Sequence, residues 1–159
     1  MLFAVVAAIV AVAINELRGE RFPLRVPAGF YAIESPARPV LVAGARRLFK
    51  EGRSVFVDAR PAGEYETSQI KGALNVPFDR WEELYPALEP WIAHGGIVLY
   101  AGREQIRLAD DLAVALASRG HADSLFIFLG GVEEWAQAGL PISTGPDPTL
   151  REAQKWEEW

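Results

Sequence analysis

Two patterns of hydrophobic and polar positions alternate along the chain from residue 40 onward. Short runs of β-branched and aromatic residues, such as 54–58 and 97–100, are typical of strands buried in a parallel sheet. Between such runs, apolar residues recur at helical spacing with charged residues on the opposite side, as in 107–119. The predicted strands are 54–58, 74–76, 97–100 and 125–129, and the predicted helices are 43–51, 78–88, 107–119 and 132–138. This alternation predicts an α/β fold in which helices cover both faces of a parallel sheet.

The N-terminal run breaks this pattern, because residues 1–14 are apolar without interruption and a charged stretch follows at once. As a helix, the run would span roughly 21 Å, less than the roughly 30 Å of a bilayer's hydrocarbon core. A signal-peptide core and a buried helix are therefore alternatives. We predict a membrane anchor over 1–17, which makes the protein single-pass in the cell membrane, with the lipid bilayer as one of its partners.

The flanking residues of this run favour one orientation and suggest a partner. Arg18, Arg21 and Arg25 follow the run and no basic side chain precedes it, which favours a cytoplasmic soluble domain. Small residues allow helices to approach closely in a membrane, so integral membrane protein subunits are expected partners. The small residues predicted to make that contact are Ala4, Ala7, Ala8 and Ala11.

The prolines and the C-terminal tail set the remaining boundaries. Four prolines between residues 22 and 39 exclude a long helix or a central strand, so 18–39 is predicted to be a linker and 40–142 the folded domain. The tail, 143–159, is predicted to end in a short helix whose apolar side carries Trp156 and Trp159. Tryptophan is enriched at protein and membrane interfaces, so this pair is a second predicted partner contact.

The composition excludes several classes of chemistry. The 159-residue chain contains no cysteine, which excludes disulfides, thiolate metal sites and cysteine nucleophiles. Its formal net charge is -5 and it has no run of basic residues, so nucleic acid is not an expected partner. The two histidines, His94 and His121, are too few for a typical zinc site. No metal and no cofactor is predicted.

The loop after the predicted strand 97–100 is the natural place for a ligand. Ligands bind open parallel sheets at the carboxyl ends of the strands, where backbone N–H groups at a helix start favour anions. Simple solvation of the loop's arginines is the alternative interpretation. The residues of this possible anion-binding loop are Gly102, Arg103, Glu104, Gln105, Ile106 and Arg107.

Two separated motifs together resemble the signatures of rhodanese-like domains. The first motif comprises Asp58-Ala59-Arg60, Glu64-Tyr65 and Ile70-Lys71-Gly72-Ala73, and the second comprises Gly130-Gly131, Trp135 and Gly139-Leu140-Pro141. From their positions, Asp58 is expected to accept loop N–H bonds, Arg60 to pair with Glu64, and Trp135 to anchor the core. The resemblance implies the rhodanese fold, and the chain also resembles the subgroup in which one membrane helix precedes a single domain.

The same resemblance implies that the family's chemistry is missing. In active members a cysteine directly follows the third strand and carries sulfur as a persulfide, but Ala101 occupies that position here. Gln69 stands where the signature has histidine. We therefore predict an inactive domain with no catalytic residue, acting as an accessory subunit of a membrane complex. The alternatives are a sulfurtransferase inactivated by a Cys-to-Ala replacement at position 101, and an anion-binding sensor domain.

Overall fold

The computed structural model describes residues 32–147 of the chain. Its strands are β1 (Arg38–Val40), β2 (Ser54–Asp58), β3 (Gln69–Ile70), β4 (Leu74–Asn75), β5 (Gly96–Tyr100), β6 (Leu125–Phe128) and β7 (Ile142–Ser143). Its helices are α1 (Val42–Glu51), α2 (Ala62–Thr67), α3 (Trp81–Ile92), α4 (Ile106–Leu116) and α5 (Gly131–Gln137). Short 3₁₀ turns at Phe78–Arg80 and Arg103–Gln105 precede α3 and α4.

The main sheet has five strands in the order β1-β6-β5-β2-β4, and every pair is parallel. The register places Val57 of β2 beside Leu99 of β5 on one side and Leu74 of β4 on the other. A separate antiparallel pair joins β3 to β7, with Ile70 opposite Ile142. The predicted parallel sheet is therefore confirmed.

Each face of the sheet has its own core, and alternate strand residues point into opposite ones. Val57 packs against α3 and α4 in one core, whereas Phe56 packs against α1 and α5 in the other. The second core is rich in aromatic contacts around the fully buried Trp135, whose ring lies 5.6 Å from that of Phe56. This confirms the expectation that Trp135 is a core anchor.

Several elements differ from the sequence-based expectations. β1 forms inside the predicted linker, and Pro39 is tolerated there because β1 is an edge strand. α2 and the β3–β7 pair were not predicted, since each is only a few residues long. α3 continues past residue 88 to Ile92, through Pro86 and Pro90. Both prolines lie on the exposed side of α3, where water can satisfy the carbonyls that lose a helical partner.

The segments flanking the predicted domain are tied to its body. The fully buried carboxylate of Asp110 in α4 accepts the backbone N–H groups of Glu34 and Ser35, at 2.8 and 3.0 Å. At the other end, the Asp147 carboxylate accepts the Asn75 N–H of the edge strand β4 at 2.8 Å. The folded body thus begins before residue 40 and continues past residue 142.

The predicted membrane anchor and partner contacts lie outside the described residues. This applies to residues 1–17, to the four alanines within them, and to Trp156 and Trp159. Among residues 32–147, no helix has both the length and the apolar character that crossing a membrane requires.

Candidate functional site

Ala101 lies directly after β5, at the carboxyl end of the sheet's central strand. It is fully buried and belongs to the core between the sheet and helices α3 and α4. The open depression beside the following loop is lined by other residues, beginning with Gly102. Position 101 therefore carries a methyl group packed into the core.

A buried ion pair lies at the end of β2, beside the end of β5. Asp58 ends β2 with a fully buried side chain, and its carboxylate oxygens accept two hydrogen bonds from Arg60 Nε and one of 2.6 Å from Arg60 Nη2. The Arg60 backbone N–H also donates to Asp58 Oδ1 at 3.0 Å, which confirms that Asp58 accepts a loop N–H. Burial raises the pKa of Asp58, an effect that the hydrogen bonds and charge of Arg60 oppose.

The expected pairing of Arg60 with Glu64 is wrong. The Arg60 guanidinium is occupied by Asp58 and by the carbonyl of Ser68, to which Nη2 donates at 2.6 Å. Asp58 is only two residues away, so the Arg60 guanidinium can bind its carboxylate in a bidentate geometry while remaining buried. Glu64 instead accepts a hydrogen bond from Gln105 Nε2 at 3.0 Å.

Two further buried polar side chains complete this network. Asn75 Nδ2 donates to the carbonyls of both Asp58 and Arg60, which fixes the turn after β2. The Tyr100 hydroxyl accepts the Ile70 N–H at 3.1 Å. Complete burial raises the pKa of Tyr100 well above its usual value, so this hydroxyl stays neutral. The residue that immediately precedes Ala101 is thus held rigidly.

The loop above this network is tied to α5 and α2 by its own hydrogen bonds. The Val132 N–H donates to the Ala101 carbonyl at 3.3 Å, and the Arg103 N–H donates to Glu133 Oε2 at 3.0 Å. The Gln105 N–H closes the turn by donating to the Gly102 carbonyl at 2.9 Å. The sequence singled out this loop, but the contact with Glu133 links residues 30 positions apart and has no local signal.

Gly131 allows α5 to approach the loop closely. Its φ of +64° lies in the left-handed region, and a Cβ atom built there would meet the Ala101 carbonyl oxygen at 2.6 Å and the Arg103 nitrogen at 2.9 Å. No side chain fits at that position without moving the loop. This glycine therefore sets the distance between the two segments.

Three of the seven residues that line the depression beside the loop carry carboxylates. The depression has a volume of about 450 Å³ and is lined by Glu64, Gly102, Arg103, Glu104, Gln105, Glu133 and Gln137. The Arg103 guanidinium lies 3.9 Å from Glu134, and Arg107 Nε lies 3.5 Å from Asp111. Each arginine that the sequence offered to an anion thus faces a carboxylate of this chain. The anion-binding loop stays a prediction.

Within residues 32–147, the two histidines lie apart from each other and from the loop after β5 in the sequence, and neither has a serine or threonine hydroxyl as the partner of its ring. His94 is exposed, and His121 Nε2 lies 3.1 Å from the Tyr85 hydroxyl on the connection between α4 and β6. In the same part of the chain, no cluster of three or more histidine, aspartate or glutamate side chains could hold a metal ion.

Comparison with known proteins decides the family. The model of the rhodanese-like domain family matches residues 42–138, which is most of the described body. The chain belongs to the rhodanese-like domain family. In the sequence, one of its two signatures precedes the loop at 101–107 and the other follows it. In space, the close approach of Gly131 to the Ala101 carbonyl places the second signature against that loop.

This rhodanese-like domain is similar to a named bacterial protein and to several proteins of known structure. HTH-type transcriptional regulator Rv0324 from Mycobacterium tuberculosis is 32% identical over 111 residues, covering 70% of this chain and 47% of the relative. The chain thus spans about half the length of that relative.

Two solved structures show the same fold. The BH2092 protein from Bacillus halodurans superposes with a TM-score of 0.56 at 20% identity, covering 68% of this chain and 77% of that one. A rhodanese-related protein from Thermoplasma volcanium has a TM-score of 0.53 at 19% identity, covering 67% and 97%.

Gln69 is the second position at which this rhodanese-like domain departs from the signature. Its side chain is buried, and Nε2 donates to the Gly145 carbonyl at 3.1 Å. Its Oε1 is buried without a hydrogen-bond partner among the described residues. Gln69 therefore fastens the segment after β7 to the body and leaves one acceptor unsatisfied there.

Proposed function

We propose that this rhodanese-like domain is a pseudoenzyme, and that it works as a membrane-anchored accessory subunit of a membrane protein complex. The observation that carries the first half is Ala101, a buried methyl group at the position of the family's cysteine. The whole chain contains no cysteine that could replace it.

The chemistry of sulfur transfer explains why this substitution is decisive. A persulfide forms only when a thiolate attacks a sulfur atom, and the thiolate then carries that sulfur. An alanine methyl group has no lone pair and no ionisable proton. A serine nucleophile would need a base held in hydrogen-bond reach, and His121 is instead placed against Tyr85. The retained scaffold thus lacks the group that performs the reaction.

The relative from Mycobacterium tuberculosis carries a name that refers to regulation and not to sulfur transfer. That protein is named as a transcriptional regulator, and the present chain matches about half of its length. Such a name is compatible with the non-catalytic role proposed for this chain.

The membrane half of the proposal rests on the sequence of the two ends. The apolar run 1–14 is followed by Arg18, Arg21 and Arg25, and it carries small residues that suit packing against another helix. The tail offers Trp156 and Trp159 for a second contact. Two weak attachments on one chain reinforce each other through their effective concentration.

Copurification tests this proposal directly. The full chain is isolated from its native membranes in mild detergent, and the stoichiometry of bound integral membrane protein is measured. We expect Ala7→Leu with Ala11→Leu to reduce partner retention severalfold, and Trp156→Ala with Trp159→Ala to do the same.

Matched controls separate these contacts from general damage. Val5→Leu with Val12→Leu enlarges the apolar run without filling its small-residue positions, and Trp91→Ala removes a tryptophan that is 53% exposed on α3. Both controls should retain the partner. Unchanged stoichiometry in the two test variants, or a chain that purifies without an integral partner, contradicts the accessory role.

The anion-sensor alternative receives less support from the site. The Arg103 N–H is donated to Glu133, and the depression is lined by three glutamates and one arginine. An incoming anion would meet negative charge at short range. The accessory role therefore remains the proposal.

A further inference from the structure

Helix α1 has a basic side that faces solvent. Ala45 and Leu48 are buried in the core between α1 and the sheet. Because successive residues of a helix are about 100° apart, Arg46, Arg47 and Lys50 fall on the opposite side, and all three are exposed. These three residues are the basic face of α1.

Little negative charge compensates the basic face. Arg47 Nε lies 3.8 Å from Glu51 Oε1, and both side chains are at least half exposed, so this ion pair is weak. Among the described residues, no carboxylate forms an ion pair with Arg46 or Lys50. Arg53, just beyond the end of α1, is exposed as well and adds a fourth positive charge. The basic face is therefore available to an external anionic group.

Positive and negative charges are unevenly distributed over the described body. Residues 42–53 carry four basic side chains and one acidic side chain. The other described residues, 32–41 and 54–147, carry seven basic and fifteen acidic side chains. An anionic surface would attract α1 and repel most of the remaining body, so the domain would meet such a surface in one orientation.

An exposed apolar residue adjoins the basic face. Leu41 directly precedes α1, and 66% of its surface is exposed. Helices that lie on anionic bilayers combine basic side chains, which bind the headgroups, with apolar side chains that enter the interface. The neighbouring charges and Leu41 together fit a lipid surface.

The position of α1 in the chain favours a bilayer over an acidic protein as the partner. Only residues 18–41 separate the predicted anchor from α1. A short tether gives the domain a high effective concentration at the membrane surface, so a weak electrostatic attraction suffices. The basic residues after the apolar run predict a cytoplasmic domain, and the cytoplasmic leaflet carries anionic lipids.

We propose that the basic face of α1 binds an anionic lipid bilayer. This inference rests on the membrane anchoring in the proposed function and adds an orientation to it. In that orientation α1 contacts the lipid headgroups, whereas α3 and α4, which cover the other face of the sheet, point away from the membrane.

Energy transfer from the domain to the lipid headgroups tests this orientation in the full-length chain. Because the chain contains no cysteine, Ala43→Cys on the exposed side of α1 and Val114→Cys on α4 each provide a single site for a fluorescent donor. Each labelled chain is reconstituted into phosphatidylcholine nanodiscs that contain a headgroup-labelled acceptor lipid, with or without phosphatidylserine. We expect phosphatidylserine to increase transfer from position 43, and transfer from position 114 to stay lower.

Neutralising the basic face should release the domain from the bilayer. Each basic residue near an anionic surface contributes about fivefold to binding, so Arg46→Gln with Lys50→Gln should lower the ratio of bound to free domain about 25-fold. Arg80→Gln with Arg119→Gln is the matched control, because it removes the same charge beside α3 and should change this ratio less than about twofold. High salt should reduce transfer from position 43 in the wild type.

Three results overturn the inference: transfer from position 43 that does not depend on phosphatidylserine, equal transfer from positions 43 and 114, or an equal loss in the control variant. Retention of an acidic protein by the basic face, without transfer to lipid, also overturns it and assigns the face to a protein.

The outcomes separate this inference from the proposed function. A chain that enters phosphatidylcholine nanodiscs but shows no phosphatidylserine-dependent transfer contradicts only the role of α1. A chain that does not enter these nanodiscs contradicts the anchor. Cosedimentation with phosphatidylserine vesicles, compared between the wild type and Arg46→Gln with Lys50→Gln, then tests α1 by itself: binding lost in the variant supports its role, and equal binding overturns it.

Discussion

The ends of β2 and β5 lie side by side in the sheet, yet they differ in what holds them. At the end of β2, the Asp58–Arg60 pair is buried and its hydrogen bonds are made inside the protein. At the end of β5, the loop from Gly102 to Arg107 is mostly exposed and is tied by single bonds to surface carboxylates. The first region carries residues of the first signature, and the second has Ala101 where the family resemblance places a cysteine. At this edge of the sheet, the residues that stabilise the fold are therefore distinct from the position where the resemblance places the family's chemistry.

The largest effect should come from the buried pair. Asp58→Ala leaves the Arg60 guanidinium buried without its partner, so we expect a loss of about 3–5 kcal/mol of unfolding free energy. Urea denaturation of the full chain measures it. Asp111→Ala removes an ion pair with the largely exposed Arg107 and should cost under about 1 kcal/mol. Similar losses in the two variants would show that the buried pair stabilises the protein no more than the surface ion pair does.

Alkaline pH should also act on the buried region. Burial raises the pKa of Tyr65 from 10.0 to about 12, and its hydroxyl donates to the Ala73 carbonyl at 2.6 Å. Because the folded chain keeps this proton to higher pH than the unfolded chain, its stabilising effect is complete below pH 10 and is lost as pH rises through 12.

The raised pKa of Tyr65 corresponds to a loss of about 2–3 kcal/mol of unfolding free energy. Urea denaturation of the wild type and Tyr65→Phe near the two ends of that pH range isolates it, because other tyrosines titrate in both proteins. The variant should lose less stability on going to alkaline pH. An identical loss in both proteins would show that Tyr65 does not contribute.

Two glycines with nearly the same φ angle probe the contact between the loop and α5. Gly131 has a φ of +64° and no room for a Cβ atom, whereas Gly139 has a φ of +65° and no atom within 4 Å of that position. Alanine at either site costs about 1 kcal/mol of backbone strain. Thermal denaturation should show a further loss of at least about 1 kcal/mol for Gly131→Ala only. Equal losses would show that the close approach is not required.

The smallest effect is expected in the loop itself. Gln105→Ala removes the hydrogen bond to Glu64 at the edge of the depression, where water can replace it. We expect a stability change within about 0.5 kcal/mol, measured by urea denaturation. A loss comparable to that of Asp58→Ala would place the loop among the residues that hold the fold.

Local patterns were sufficient to predict four of the five strands of the main sheet, and β1 was missed. The boundaries of β2 were predicted at 54–58 because its residues face both cores and no turn residue interrupts them. Two-residue strands such as β3 and β7 are too short to show a periodicity. They pair because the tertiary structure brings residues 69–70 and 142–143 together. The predicted end of α3, at residue 88, lies four residues before the observed one, and whether a helix continues through Pro90 depends on which side of it meets solvent.

The site was predictable only in part. The position of Ala101 follows from the motifs, since a missing cysteine is visible in the sequence itself. The exchange of Glu64 for Asp58 as the partner of Arg60 was not predictable, because spacing allowed both and burial favoured the nearer carboxylate. The contact of Glu133 with the Arg103 N–H depends on the approach of α5, which only the tertiary structure provides.

Sulfur transfer by the wild-type chain tests the central claim most directly. The purified full-length protein is incubated with thiosulfate and cyanide, and thiocyanate formation is measured beside a buffer blank and an active thiosulfate sulfurtransferase. Because Ala101 provides no thiolate, we predict a rate equal to the blank. Thiocyanate formed above the blank in proportion to the protein concentration would contradict the account.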